Sequence, residues 1–478
     1  RTAYEADITY VTAKEAGFDY LRDSLCLELK ELTQRKFNMT IVDEADFILI
    51  DEARIPLVIA EKIASAKKAS KKINNIINEL KAGVDYDLDE YSRNIYLTEA
   101  GVDRVEEKLG CGNIYSEENY DLLLELYSAL HANILLKRDV DYIVKDRKVE
   151  LVDEFTGRIA DRRALPDGLQ AAVEAKEGLS AFSECKILNS ITMQHFIKMY
   201  PKLCGMTGTA STSSAELMNY YGLEVAVIPT NKLLIRKDYE DYIFTTQEAK
   251  LKALISEIQA VHATGRPILV GTASIEESEK LAKELQRLGA HCNVLNAKND
   301  EREAAIISKA GSLGAVTVST NMAGRGTDIR LGGENEERRA EVVALGGLYV
   351  IGANKHESCR VDNQLRGRSG RQGDPGSSRF FISLEDDLIK RYGKTSRLFI
   401  KEKVYKSQVS PIENPALKNA IRKVQKLAEG QNEDIRLLLW RYSNIVEAQR
   451  QIIFSRRMDI LKGNEDYYSF SRLAPKEY

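Results

Sequence analysis

Three stretches of this 478-residue chain put chemically capable side chains at telling spacings. The first is Asp43-Glu44-Ala45-Asp46, directly after Thr40-Ile41-Val42. An apolar run ending in carboxylates reads as a buried strand with acids at its C-terminal end, where open α/β sheets bind ligands. In phosphoryl transfer one such acid holds Mg2+ through water, and a neighbour orients or deprotonates the attacking water. That chemistry assigns Asp43 to the metal and Glu44 to the base. The bland alternative is a solvated acidic turn.

The second stretch is Asn321-Met322-Ala323-Gly324-Arg325-Gly326-Thr327-Asp328, just after the apolar run Ala315–Val318. Gly324 and Gly326 let backbone amides approach a phosphate, and Arg325 between them is a fork-shaped cation suited to its oxygens. The third is Gln364-Leu365-Arg366-Gly367-Arg368-Ser369-Gly370-Arg371-Gln372-Gly373. Four arginines, Arg360, Arg366, Arg368 and Arg371, fall within twelve residues there. Such density suits a loop and short helix facing polyphosphate, where an arginine stabilises developing charge; a solvated basic face is the alternative. Taken together, acids at one strand end and arginines in a second α/β unit are the layout of a two-lobed NTPase with nucleotide between its lobes. Thr207-Gly208-Thr209, inside Gly205–Ala210, fits a hinge or relay. Neither G-x-x-x-x-G-K-[ST], H-E-x-x-H nor G-x-S-x-G occurs. His356 and Cys359 are spaced to share a helix face, more simply as a packed or exposed pair than as a catalytic dyad.

The elements that must position these residues follow from patterning. Lys+Arg is 69 against Asp+Glu 72, a net charge of -3, with 43% hydrophobic and 29% charged residues. That is an ordinary globular balance, with sizeable cores and no wholly basic surface. No apolar run is long enough to span a bilayer. The six cysteines include no C-x-x-C pair, which favours free thiols over a disulfide framework or a zinc site. Neither a low-complexity segment nor a short-period repeat stands out. Residues 61–80 read as an amphipathic basic helix, Asn94–Leu97 as a strand, and 141–152 as a hairpin, making 61–155 an α+β insert. Residues 156–228 read as helical. From 229 to 387 strands and helices alternate, predicting a doubly wound parallel sheet. Ala416–Leu461 reads as one helix, about 70 Å long at 1.5 Å per residue. Its apolar stripe comprises Leu417, Ile421, Val424, Ile435, Leu438, Ile445 and Ile452.

At these motifs the chain resembles the SecA family of preprotein translocation ATPases, nearly end to end. The resemblance is carried by Tyr4–Tyr10, Gly17–Asp23, Val42–Asp46 followed by Ile50-Asp51-Glu52-Ala53-Arg54, Asp139–Asp146, Ala172–Gly178, Gly205–Ala210, Asn321–Ile329 and Asp362–Gly373. It implies an α/β fold with two RecA-like nucleotide-binding lobes of the superfamily 2 helicase type, an α+β preprotein-crosslinking insert and a long-helix scaffold. The implied division is 1–60 with 156–228 for the first nucleotide-binding domain, 61–155 for the insert, 229–387 for the second nucleotide-binding domain and 388–478 for the scaffold.

The resemblance also implies residue roles. Asp43 is the Mg2+-associated acid and Glu44 the catalytic base. Arg325 faces phosphate with Asp328, Gly324 and Gly326 on the nucleotide, Arg368 and Arg371 form an arginine-finger pair, and Asp51 and Arg360 make a salt-bridge gate. Thr207, Gly208 and Thr209 form a coupling motif. ATP and Mg2+ are the implied cofactors, with no zinc in this chain. The implied partners are unfolded preproteins, a SecY-type membrane channel, an anionic membrane surface and, as an option, a second copy in a homodimer, with no nucleic acid. The implied location is the cytoplasm and the inner-membrane periphery, or alternatively plastid stroma with the thylakoid or envelope membrane.

The family's phosphate-cradling loop would precede Arg1, and its helical wing and zinc tail would follow Tyr478, so the expectation is an internal piece of a longer protein. Phe155 stands where the family often has histidine and Pro375 where it has alanine, and the stretch 332–347 is short, departures that point to an accessory or plastid paralogue. Two other readings are a superfamily 2 nucleic-acid helicase and, for the chain as it stands, a polypeptide-binding piece that does not hydrolyse ATP.

Overall fold

The computed structural model describes residues 1–54, 56–63, 71–89, 94–145, 148–152, 165, 168–179, 184–296, 303–320, 326–393 and 410–463. Among them the strands, in chain order, are β1 (Met39–Asp43), β2 (Leu57–Ile63), β3 (Tyr86–Leu88), β4 (Ile95–Leu97), β5 (Tyr142–Lys145), β6 (Lys148–Leu151), β7 (Glu184–Ile191) and β8 (Lys202–Met206). They continue with β9 (Lys237–Asp238), β10 (Tyr242–Phe244), β11 (Ile268–Thr272), β12 (Asn293–Leu295), β13 (Val316–Thr320), β14 (Leu348–Gly352) and β15 (Gly376–Ser383). The chain divides into two compact units. One joins Arg1–Ala64, Cys185–Ile228 and Gly430–Tyr478; the other joins Ser65–Glu184 and Pro229–Glu429.

In the first unit β1 pairs with β8 in parallel, Val42 opposite Gly205, and β2 pairs with β7. The helix Ala13–Asp23, capped by Thr12, buries Phe18, Tyr20 and Leu21 against Leu49, Leu57, Phe196 and Leu217. The basic helix expected over 61–80 is corrected here. Residues 57–63 form β2, where Leu57 is buried and the β-branched Val58 and Ile59 are half-buried, and among the described residues of 61–80 the helix runs Lys71–Asn78. The helical reading of 156–228 likewise missed β7 and β8. In β8 the alternation is masked by Gly205, where a Cβ would come within 2.7 Å of the Ala45 Cβ and 2.9 Å of the Val42 carbonyl.

The second unit holds a seven-stranded sheet in the order β10-β15-β14-β11-β13-β12, with β9 on β15. Each of its pairings is parallel, as the alternating strand-helix rhythm predicted. β11, β13 and β14 are buried at every position, so they read as short β-branched and apolar stretches without polar alternation, although β13 also buries Thr317, Ser319 and Thr320. Period-two alternation sends Leu269, Val350, Phe380 and Ile382 into one core and Ile268, Val270, Tyr349, Ile351 and Phe381 into the other. The sequence reading did not include β9, β10 and β15 or the helix Gln247–His262.

Residues 71–179 of this unit pack Ile73, Ile76, Ile77, Val105, Leu126, Leu130, Tyr142 and Val173 together. Two turn-hairpins recur in this segment. Lys81-Ala82-Gly83-Val84-Asp85-Tyr86 leads into β3–β4, and Lys137-Arg138-Asp139-Val140-Asp141-Tyr142 leads into β5–β6. In each the aspartate carboxylate accepts the lysine N–H (Lys81 to Asp85, 2.8 Å; Lys137 to Asp141, 2.6 Å). In each the third residue is left-handed, Gly83 at φ 77° and Asp139 at φ 61°, and donates its N–H to the tyrosine carbonyl. No short-period pattern signalled this pair, because the copies begin 56 positions apart (137 − 81).

The expected long helix is present as Pro415–Leu461, 47 residues. Its apolar stripe splits. Leu417, Ile421 and Val424 are buried in the second unit's core. Ile435, Leu438, Ile445 and Ile452 are exposed, together with Leu439, Tyr442, Val446 and Ile453. In the first unit the inward side of the helix is polar instead. Arg436 forms a bidentate pair with Glu216 at 2.8 and 2.6 Å, and Arg450 donates to Glu447 and to the Tyr20 hydroxyl. Paired charges can replace apolar side chains when every donor finds an acceptor. Among the described residues no helix is long and apolar enough to cross a membrane.

Two expectations follow for stability. Asp139→Gly relieves a left-handed non-glycine backbone and should raise the urea midpoint, whereas Gly83→Asp should lower stability by about 0.5–1 kcal/mol. The second concerns Asp386, whose carboxyl burial pushes up to about 6 beside Lys250 Nζ at 2.6 Å. A carboxyl raised above its unfolded value contributes stability that is complete below the unfolded pKa and fades as pH rises through the folded one. The stability of wild type minus that of Asp386→Asn should therefore fall as the pH of a denaturation series rises through about 6.

Candidate functional site

In the first unit β1 ends in its acids as expected, but the expected buried strand is corrected, since only Val42 is buried while Met39 and Ile41 are exposed. Asp43 is exposed at the strand end, and its Oδ1 accepts the N–H of Glu44 at 3.0 Å. Glu44 is forced to φ 50°, a left-handed conformation uncommon for a non-glycine residue. The turn then runs inward to Asp46, which is fully buried. Two hydroxyls donate to that carboxylate: Thr207 to Oδ1 at 2.7 Å and Thr209 to Oδ2 at 2.5 Å. Thr209 N–H in turn donates to Thr207 Oγ1 at 3.2 Å. Gly208 has open space around it. The loop after β8 and the acidic turn after β1 are thus one hydrogen-bonded piece. The sequence singled out both stretches but gave Asp46 no partner; a second acid two residues past Glu44 and facing inward was the available signal.

In the second unit the structure brings the ends of two motifs together. Gly326 sits at φ 82° and is followed by Thr327 and the exposed Asp328. Arg368 is buried and donates from Nη1 to the Thr327 carbonyl at 3.2 Å. Arg371 is exposed, donating from Nη1 to Asp328 Oδ1 at 2.5 Å and from Nε to the Gly367 carbonyl at 3.1 Å. Two arginines gathered at Thr327 and Asp328, next to the left-handed Gly326, form an arrangement able to meet an anion. Arg325 and Gly324 lie outside the described residues.

The helix Cys359–Arg366 carries the arginines' approach. Ser358 caps it by accepting the Arg360 N–H. Gly271 on β11 admits it closely, since a Cβ there would lie 2.6 Å from Leu365. The long helix holds its first turn: Glu429 accepts the Cys359 N–H at 2.5 Å, and Gln425 Nε2 donates to the His356 carbonyl at 2.8 Å and to Asp362 at 2.9 Å. Asp362, buried, also accepts the His356 N–H at 3.1 Å and pairs with Lys355 at 3.4 Å. His356 precedes the helix, so it shares no helical face with Cys359. Burial, then Glu429, push the Cys359 thiol up to about 11, which leaves it protonated and unreactive near neutrality. Asp51, in the first unit, and Arg360, in the second, are both buried.

Among the described residues no cluster of three or more His, Cys, Asp or Glu side chains is disposed to hold a metal. Asp43 offers a hard oxygen at the end of β1, the kind of donor Mg2+ uses when water and phosphates complete its shell.

Comparison with known proteins is extensive. Residues 1–218 match the SecA DEAD-like domain, 233–341 and 334–404 the SecA P-loop domain, and 411–472 the SecA wing and scaffold domain. A protein translocase subunit SecA from Syntrophus aciditrophicus is 52% identical over 465 residues, 97% of this chain and 54% of that protein. Its counterpart from Halothermothrix orenii is 49% identical over 96% of this chain and 54% of its own length. A SecA 2 from Thermobifida fusca is 48% identical over 96% and 60%. The chain spans about half the length of the curated relatives it matches. The parallel sheet and the DEAD-like match fit the RecA-like superfamily 2 fold. With three SecA domains matched in order along nearly the whole chain, it belongs to the SecA family.

Proposed function

We propose that the protein of which this chain is part is an ATP-driven motor that hydrolyses ATP to move unfolded preprotein through a membrane channel. The observation that carries the reading is the acidic turn after β1. Its backbone is strained at Glu44, and its buried Asp46 is tied to Thr207 and Thr209. Strain of this kind persists where the surrounding structure over-determines it, and it gathers at catalytic turns. Phosphoryl transfer asks the protein for positioning and charge stabilisation rather than for covalent chemistry.

In this reading Glu44 orients and deprotonates the attacking water, and Asp43 holds Mg2+ through water. Mg2+, when bound, neutralises charge on the phosphate oxygens. Arg368, Arg371 and Arg325 stabilise charge on the transferring phosphoryl group, with Asp328, Gly324 and Gly326 at the nucleotide. Asp51 and Arg360 act as a gate on turnover. Thr207, Gly208 and Thr209 relay movement, because any displacement of the loop after β8 pulls on Asp46 two residues from the base. Residues 1–60 with 156–228 and residues 229–387 are the two nucleotide-binding domains, 61–155 the preprotein-crosslinking domain, and 388–478 scaffold. The partners are unfolded preproteins, a SecY-type channel and an anionic membrane surface, on the cytoplasmic side.

The test is made in the full-length parent. Glu44→Gln should reduce polypeptide-stimulated phosphate release by about 10²-fold or more while nucleotide binding persists. Unchanged hydrolysis would sink the motor reading. So would tight, steeply salt-dependent binding of single-stranded RNA with none of unfolded preprotein. Thr209→Val removes one hydroxyl from Asp46 and should lower the ratio of preprotein-stimulated to basal hydrolysis several-fold, as read in the same assay.

A further inference from the structure

The loop Gly367–Gly373 carries both Arg368 and Arg371, and it is gripped from outside by Arg236. Arg236 Nη1 donates to two carbonyls, that of Arg366 at the end of the preceding helix at 3.0 Å and that of Ser369 in the loop at 3.1 Å. Its other edge is bidentate on Asp238, Nε to Oδ1 at 2.8 Å and Nη2 to Oδ2 at 2.9 Å. Asp238 is itself rooted in the sheet. It lies in β9, opposite Ser378 of β15, and accepts the Ser378 hydroxyl at 2.6 Å. Burial alone would raise the Asp238 carboxyl; hydrogen bonds from Arg236 and Ser378 nonetheless hold it below the usual carboxylate range, so it stays charged.

The loop is shaped to receive this side chain. Gly370 is at φ 75°, and a Cβ there would lie 2.6 Å from the Arg236 Cβ. On the loop's other side the Ser369 hydroxyl donates to the Leu348 carbonyl at 2.7 Å. At Gly376 a Cβ would collide with that hydroxyl, at 1.9 Å. The backbone between the two arginines is therefore held between β14 and Arg236. Only a planar five-donor fork can serve two carbonyls along one edge and a carboxylate along the other; a lysine has three donors on one atom.

We propose that Arg236, locked by Asp238, is a positioning residue for the arginine loop, setting where Arg368 and Arg371 stand when charge develops on phosphate. The inference rests on the proposed ATPase reading and deepens it. A displacement of about 1 Å in a charge-stabilising group can slow a reaction by about 10²-fold. A positioning defect lowers kcat without weakening ground-state binding.

The experiment compares steady-state ATP hydrolysis of the full-length parent with Arg236→Lys, Asp238→Asn, Arg371→Ala and the double variant Arg236→Lys/Arg371→Ala, each with a thermal melt. Arg236→Lys should lower kcat about ten-fold with the KM for ATP within about two-fold, and Asp238→Asn should move the same way. The double variant should lose less than the product of the two single losses, because the share of the Arg236→Lys defect that acts through Arg371 cannot be lost again while the share through Arg368 remains. A lower melting temperature with wild-type kcat, or losses that multiply in the double variant, overturns the inference. If Arg371→Ala is slow and Arg236→Lys is not, only this inference falls. If Arg371→Ala keeps wild-type kcat, the role given to Arg371 fails and this inference fails with it.

Discussion

A carboxylate taken out of water must be met by donors, and in this protein some come from the same local segment while Asp46, Asp362 and Asp386 also draw donors from segments more than sixty positions away. Asp46 draws the hydroxyls of Thr207 and Thr209. Asp362 draws Gln425, Lys355 and the backbone of His356. Asp386 draws Lys250 and the Ser383 N–H. Asp85 draws Arg104 and the Lys81 N–H, and Asp23 draws Thr33 and Gln34. Each of these aspartates is buried. Removing one partner from such a cluster leaves an uncompensated charge, costing about 3–5 kcal/mol where burial is complete. The clusters therefore fix distances between elements more tightly than apolar packing, which tolerates sliding and repacking.

Two of these clusters stand beside the proposed chemistry. Through Asp46, the loop after β8 is bound to the turn that holds Glu44. Through Asp362 and the Cys359 N–H, the first turn of the arginine-bearing helix is bound to the long helix. Glycine supplies the complementary device. Gly205 lets β8 lie against Ala45, Gly271 lets the arginine helix reach β11, and Gly370 lets Arg236 reach the arginine loop. Side chains at these three positions would push apart the elements that the carboxylate networks hold together.

The central sheet was legible because its strands are buried on both faces, so Ile268-Leu269-Val270, the β-branched Val316-Thr317-Val318 and Leu348-Tyr349-Val350-Ile351 stand out as short strand-like stretches between helical periods. β8 was not legible, since Gly205 interrupts its pattern for a packing reason that only its neighbour β1 reveals. The turn-hairpin pair at 81 and 137 shares Lys, Val, Asp and Tyr at matching positions, but it hid because each copy is only six residues long and the two begin 56 positions apart. The stripe on the long helix misled for a related reason. Periodicity marks an apolar face, but Arg436 with Glu216 and Arg450 with Glu447 show that a helix can turn its charged side inward when the charges are paired.

The sequence alone determined the chemical types: acids after one apolar strand, glycines and arginines after another, and a family resemblance resting on whole strings of residues. Composition and spacing report such things because they depend on neighbours along the chain. What only the tertiary structure decided was who serves whom. That Asp46 belongs to Thr207 and Thr209, Asp362 to Gln425, and the arginine loop to Arg236 depends on groups more than sixty positions apart meeting in space. A hydrogen bond is specified by distance and direction between two atoms, and no linear pattern encodes those until the sheets and helices have packed.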